Sequence, residues 1–407
     1  VFKLNNRDSI GYNRCPLALR ASAGLLAYVW ENMKEGFPKF EKIELYELTQ
    51  YVSIDTATRR NLELTETLRD KNKYGSLLWA VDMPFTNMGA RLLKSWICQP
   101  LKDISAIQNR QNIVKILVEN SSARYETQNL LKGIYDIQRL STRLSNNSVT
   151  PRDFVSLKSS LMVLPELFSS INSLGIDIFK DAESELDNLI QFSELIDKTI
   201  NDDPPIIIKE GGVIKAGANK DLDYLRDLLT NGEDWLRKFE QQERDKTGIN
   251  ILKVNYNKVF GYYIEVTNSN LDKVPPDYIR KQTLTNAARF ITDKLKKHED
   301  EALTAQVKAN ELEYRIYCDF REYAKEFVSI IRQISQEIAE LDVYCSFASA
   351  AIEQNYVCPE LDDSQDFVIK NGRHPVLEKI LPLGSYVPTD LELSCTDLSH
   401  LQLLILT

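Results

Sequence analysis

Residues Asn286–Asn355 read NAARFITDKLKKHEDEALTAQVKANELEYRIYCDFREYAKEFVSIIRQISQEIAELDVYCSFASAAIEQN. Proline is absent between Pro276 and Pro359, and glycine between Gly261 and Gly372. Those two residue types interrupt helices, proline by losing an N–H and clashing with the preceding turn, glycine by its backbone entropy. After Leu295, apolar residues recur mostly every third or fourth position, through Leu303, Val307, Leu312, Ile316, Phe320, Tyr323, Phe327, Ile331, Ile334, Ile338, Leu341, Cys345, Ala348 and Ile352. That spacing is one face of an α-helix. It predicts a helix over 286–355, roughly 100 Å long at about 1.5 Å per residue, far beyond the usual globular length.

Upstream, Leu222, Leu225, Leu229, Leu236 and Phe239 mark a second helix from about 220 to Thr247-Gly248, where glycine supplies a stop. Two β-branched and aromatic runs follow, Leu252–Tyr256 and Tyr262–Thr267, joined by Asn257-Lys258-Val259-Phe260-Gly261 as a hairpin connection. Pro275-Pro276 is expected to close this small β unit. One helix therefore leads out, a β tip follows, and a longer helix returns.

The N-terminal half, to about Asp202, reads as a helical domain. Its expected helices are Pro16–Trp30, a segment capped by Asp55 and running through Leu68, Asn87–Ile97 after Pro84, Ile104–Glu119, Arg124–Ser145, and one opening at Pro151. At the other end, 367–369, 386–387, 391–393 and 401–406 read as strands. The last is a continuous apolar run, suited to a strand buried on both faces of an α/β sheet. A chain of 407 residues exceeds one ordinary core, so two or three domains are expected.

Charge is distributed unevenly. The net value is −9, which argues against a general nucleic-acid binder. Yet residues 253–298 carry nine cations against four anions, while the remaining residues carry 41 against 55. A cationic tip on an acidic body suits a site that touches phosphate, with Gln282, Thr283 and Asn286 as neutral donors. A solvated cluster at a helix end explains the same charges equally well.

Little else points to chemistry. The six cysteines form no Cys-x-x-Cys pair, and His298, His374 and His400 offer neither zinc spacing nor a triad. Scattered thiols suit a reducing cytoplasm. No stretch reaches about 18 uninterrupted apolar residues, so no membrane span is expected. The N-terminus lacks a signal-like apolar core and an initiator Met, which predicts a fragment. No Gly-x-x-x-x-Gly-Lys-[Ser/Thr] loop occurs, so no residue run could cradle a β/γ-phosphate, and this chain alone is expected to hydrolyse no ATP.

Several blocks carry a resemblance. Asp55–Leu64 (DTATRRNLEL), Met88–Trp96 (MGARLLKSW) with Gln99-Pro100-Leu101, and Gly211–Gly217 (GGVIKAG) resemble, in order, segments of the MutS family of DNA mismatch-repair proteins. So do Asn257–Val266 (NKVFGYYIEV), Arg280–Phe290 (RKQTLTNAARF) and Gly372–Glu378 (GRHPVLE). The resemblance covers nearly the whole chain. It implies a mainly α fold with a small β clamp: a helical core, long lever helices, and the truncated start of a C-terminal α/β ATPase domain. The implied segments are a connector tail (1–14), core and outgoing lever (15–246), DNA clamp (247–303), returning lever (304–365) and ATPase start (366–407).

For the intact protein, the resemblance implies recognition of mismatched or looped double-stranded DNA by a homodimer in the bacterial cytoplasm, ATP and Mg as cofactors, and a MutL-type repair partner. The clamp residues it singles out for the DNA backbone are Lys253, Asn257, Lys258, Lys281, Gln282, Asn286 and Arg289. Tyr386 stands where the family places an aromatic on the adenine of ATP. The family's mismatch reader carries Phe-x-Glu; Phe192-Ser193-Glu194 and Phe320-Arg321-Glu322 match by letters but fall in expected helices. A purely structural relative, clamping DNA without reading mismatches, is the alternative.

Overall fold

A computed structural model describes residues 16–32, 50–180, 182–257, 261–382 and 384–394. The expected connector tail, Lys258 and the strand at 401–406 lie outside the described residues. The chain divides into two compact units: 1–149 with 156–193 and 325–407, and 150–155 with 194–324.

The helices are α1 (Pro16–Asn32), α2 (Thr56–Asn61), α3 (Leu77–Val81), α4 (Asn87–Cys98), α5 (Ile104–Glu119), α6 (Ser121–Lys132), α7 (Ile137–Ser145), α8 (Pro151–Asn172), α9 (Leu186–Thr199), α10 (Lys220–Thr247), α11 (Asp293–Ala324), α12 (Val328–Gln354) and α13 (Pro375–Ile380). The strands are β1 (Lys253–Asn257), β2 (Gly261–Thr267), β3 (Ile279–Thr283), β4 (Ala287–Ile291), β5 (Asp366–Gly372) and β6 (Thr389–Ser394).

In the first unit, α12 packs against α4, α5, α6 and α7. It is buried along most of its length, from Ile331 and Ile334 through Leu341, Val343 and Cys345 to Ala350, as expected of a helix surrounded by others. Polar capping sets the helix starts: Asp55, Ser76, Thr86, Asp103 and Asp136 each accept a backbone N–H in the first turn of α2, α3, α4, α5 and α7. Gly89 sits where α4 meets α12; a Cβ there would collide with the Asp342 side chain, lying 2.8 Å from its Cγ.

Helix α8 is long and apolar enough to cross a membrane by length and composition alone. Its Leu157, Leu161, Leu164, Leu167, Phe168 and Ile171 are buried within the protein, so those properties serve a core. The two Phe-x-Glu matches are also core features. Phe192 stacks on Phe327 at 4.1 Å, and Phe320 packs edge-on to Phe154 at 5.1 Å.

Five expectations need correction. The helix predicted over 286–355 begins at Asp293 and is broken by a 3-10 turn at Lys325–Phe327. Residues 287–291 form β4, because Ile264, Glu265, Val266 and Thr267 of β2 take them as antiparallel partners. Pro275-Pro276 therefore does not close the β unit. The span Arg124–Ser145 is two helices, separated where Gly133 ends α6 and Asp136 caps α7. Finally, α2 stops at Asn61 because Glu63 is left-handed (φ 49°) and its carboxylate accepts from Leu68 N at 2.6 Å, and Tyr386-Val387 is irregular rather than a strand.

Candidate nucleic-acid interface

The second unit carries a four-stranded antiparallel sheet in the order β1-β2-β4-β3. It is built on the end of α10, which stops at Gly248 in the left-handed conformation, and on α11, against which α10 packs. Side chains alternate across a strand, so pairing sorts the sheet into two faces. One face carries Ile264, Val266, Ala288 and Phe290, packed with Phe239, Ile249, Leu252, Tyr278 and Leu295 into a buried core. Its ten buried residues explain why helix-prone Ala-Ala-Arg in β4 adopts strand structure: the core rewards pairing more than the local sequence favours a helix.

Polar bonds fix the sheet to the helix. Val254 N donates to Glu240 Oε2 at 2.7 Å, and Arg244 Nε to the Leu252 carbonyl at 2.8 Å. Tyr278 Oη donates to Glu243 Oε2 at 2.7 Å, with both residues buried. Burial, followed by that carboxylate, pushes the Tyr278 hydroxyl far above its ordinary value, so it remains a donor. Gly261, opposite Asn257, has φ 72°, and a Cβ there would strike the Glu299 carboxylate. The positive φ is what favours glycine here, since the end of the Glu299 side chain can swing away.

The opposite face is polar. In register it presents Lys253 beside Glu265, Asn255 beside Tyr263, and Glu265 beside Arg289. Arg289 lies over the Tyr263 ring, 4.3 Å from its centroid. Its Nε is 3.2 Å from Glu265 Oε2, and its Nη1 donates to Gln282 Oε1 at 2.9 Å. Arg289 is thus a fixed, mostly covered cation, with Gln282 spending its carbonyl to hold it.

Lys281 behaves differently. It falls at the irregularity between Arg280 and Gln282, where β3 and β4 lose register, and it is exposed. A bulge turns a side chain out of the pleat. Asn286 is exposed in the β3–β4 turn, which is tied down by Asn268: its N donates to the Asn286 carbonyl at 3.1 Å and its Nδ2 to the Thr285 carbonyl at 2.9 Å. Lys253 is exposed on β1, and Asn257 is half-buried at its end. Arg280 and Lys273, counted in the basic tip but not singled out from sequence, are exposed too. Lys246 is exposed but engaged, 2.7 Å from Asp277, which raises its ammonium above the ordinary value.

Tyr386, assigned to nucleotide, belongs to the other unit. It is half-exposed in the irregular segment before β6, which pairs with β5 as a two-stranded sheet. His374 caps α13, its Nδ1 accepting from Val376 N and Leu377 N at 3.3 and 3.4 Å.

Comparison with known proteins places these features among relatives. A family model described as MutS domain III matches residues 57–348. The chain is 45% identical over 407 residues to a DNA mismatch repair protein MutS of Clostridium novyi (strain NT), matching along all of its own length and 44% of the relative's. Against the protein of the same description from Acetivibrio thermocellus it is 42% identical over 395 residues, 97% of this chain and 45% of the relative. The Caldicellulosiruptor bescii protein is 44% identical over 383 residues, 94% of this chain and 44% of the relative. The chain spans less than half the length of these curated relatives.

Proposed function

The chain belongs to the MutS family, and on that premise we propose that it is the lever and DNA-backbone clamp of a protein that recognises mismatched or looped DNA and signals its repair. The observation that carries this reading is the two-faced sheet. One face is fixed to the α10–α11 core, while the other is polar and carries exposed Lys253, and Lys281 stands exposed at the β3 bulge, on a chain of net charge −9. Cations at strand positions and turns, rather than on a groove-reading helix, suit contact with phosphate oxygens and not base edges. Lys253, Lys281 and Asn286 are assigned to the backbone. Arg289 and Gln282 hold the face in shape, Asn257 ends β1, and Lys258 is kept as a proposed backbone contact.

The intact protein is proposed to act as a homodimer with ATP and Mg as cofactors and a MutL-type partner. The segments 1–14, 15–246, 247–303, 304–365 and 366–407 would serve as connector tail, core with outgoing lever, clamp, returning lever and ATPase start. Tyr386 offers one flat face for adenine. With no phosphate-binding loop in the sequence, these residues do not fit the phosphates or Mg, and no step here runs through them. Arg373 supports coupling between lever and ATPase start. Its Nη2 donates to the Gln354 and Asn355 carbonyls at the end of α12, at 2.9 and 2.7 Å, while its Nη1 pairs with Glu378 of α13 at 2.7 Å.

The test is a titration of labelled duplex at several salt concentrations. Lys253→Ala/Lys281→Ala should weaken matched and mismatched duplexes alike and flatten the slope of log affinity against log salt by about 0.9 per lost contact. Arg289→Ala should weaken binding through a disturbed sheet, visible as faster amide exchange in β3 and β4. An unchanged slope in the double variant would remove the clamp assignment.

A further inference from the structure

Arg91 of α4, Arg139 of α7 and Arg332 of α12 line one cleft of about 390 Å³ in the helical unit. Their charges are unequally matched. Arg91 Nη1 and Nη2 donate to the Asp136 carboxylate at 2.7 and 2.8 Å, and Nη2 also to Gln138 Oε1 at 2.6 Å. Arg139 Nε stands 3.4 Å from the same carboxylate. Arg332 Nη2 donates to a neutral partner, Ser145 Oγ, at 2.9 Å. One carboxylate therefore serves two guanidinium groups and the third has none. Among the described residues lining the cleft there is no carboxylate.

Two positive charges remain over the cleft once Asp136 is counted. The hydroxyls around it do not supply donors. Ser141 and Thr142 turn their protons to the Gln138 carbonyl at 2.8 and 3.1 Å, and Ser335 to the Arg332 carbonyl at 2.6 Å. The arginines do supply them. A guanidinium has five N–H donors in a rigid fork, and neither Arg139 nor Arg332 spends more than a part of its set on the contacts above. Asp136 fixes Arg91, and against the carboxyl's partial burial Arg91 and the Arg139 backbone N–H hold it below the ordinary carboxylate range, so the anchor stays charged.

We propose that this cleft binds a phosphoryl dianion, either inorganic phosphate or a terminal phosphate monoester. Such a group carries about −1.5 to −2 charges at neutral pH, which matches the uncompensated charge. Its oxygens can accept from guanidinium forks arriving from different helices, in the bidentate manner arginine favours. A carboxylate or a backbone diester carries a single charge and would leave the cleft unbalanced. This inference does not rest on the clamp reading.

The test is calorimetric titration of the 407-residue chain with inorganic phosphate at constant ionic strength, with phenyl phosphate, acetate and a short blunt duplex lacking terminal phosphates as separate arms. Phosphate or phenyl phosphate should bind saturably and at least tenfold more tightly than acetate. Arg139→Ala/Arg332→Ala should lose at least tenfold; both positions are exposed, the Arg139 side chain at 69%, and circular dichroism checks the fold. If that variant fails to fold, Arg139→Lys/Arg332→Lys keeps the charge but not the fork and should still weaken binding several-fold. Phosphate in preference to phenyl phosphate assigns the free ion, and the reverse assigns a monoester. Equal binding of phosphate and acetate, identical titration of wild type and variant, or binding of the duplex alone would overturn the proposal.

Discussion

Asp342→Ala should destabilise the helical unit by about 3 kcal/mol. Asp342 is fully buried on α12. Its Oδ1 accepts from Phe85 N at 2.9 Å, and its Oδ2 from Thr86 N and Thr86 Oγ1, both at 2.7 Å. Thr86 Oγ1 in turn accepts from Gly89 N at 2.9 Å as the cap of α4. One carboxylate thus positions the start of α4, and its loss leaves backbone donors without an acceptor. Asp342→Asn should cost less, since it keeps one acceptor and removes a buried charge. Burial pushes the Asp342 carboxyl above its ordinary value of 3.8, against the pull of the Phe85 and Thr86 donors. A raised folded value means that the group's contribution is fully present below the unfolded pKa and is lost as pH rises through the folded one. Asp342→Asn should remove that loss. Urea midpoints at constant m, taken across this pH range, check both statements. A cost below about 1 kcal/mol for alanine would show that the donors find water instead.

Glu313→Ala should have an effect of similar size in the other unit, again about 3 kcal/mol. Glu313, on α11, is 3% exposed. Its Oε1 accepts from Val213 N and, at 2.7 Å, from Ile214 N, and it stands 3.2 Å from Arg226 Nη2 of α10. Both amides belong to residues with no exposure. One oxygen therefore joins the segment before α10 to α11, and Arg226 adds α10 itself, also donating to the Ile214 carbonyl at 2.8 Å. Glu313→Gln retains the carbonyl oxygen and both amide bonds, losing only the ionic part, so it should cost well under half as much. Hydrogen exchange reads the result directly. In Glu313→Ala the amides of 213 and 214 should exchange about a hundredfold faster, the equivalent of about 3 kcal/mol, and in Glu313→Gln much less. Equal exchange in the two variants would mean that charge, not acceptor geometry, holds the segment.

Much of the fold was legible because its signals are local. The span Ile104–Glu119 could be delimited by its apolar spacing, and α10 could be ended at Gly248, since periodicity and stops act within a turn or two. The β2 run Tyr262–Thr267 showed itself by residue type. In contrast, β3 and β4 were hidden: Ala287-Ala288-Arg289 has no strand preference of its own, and only pairing with β2 makes it one. The charge excess of the tip was likewise countable, but its sorting was not. Arg289 and Lys281 look alike in sequence, yet one is spent on Glu265, Gln282 and Tyr263 while the other is exposed at a bulge.

The sequence by itself determined that helices dominate, where several of them start, that a basic β unit interrupts two of the longest, and, through its motif blocks, the family. Those properties follow from periodicity, capping and composition, each set by residues within a few positions of one another. The tertiary structure alone decided that β4 leaves the helical pattern, that Asp342 and Glu313 each organise a unit from a distance of many residues, and that three arginines from α4, α7 and α12 share one cleft. Asp342 and Thr86 are 256 positions apart, and Glu313 and Ile214 are 99. No local pattern encodes such a pairing, because the cost of an unpaired buried donor arises only once packing has removed the water.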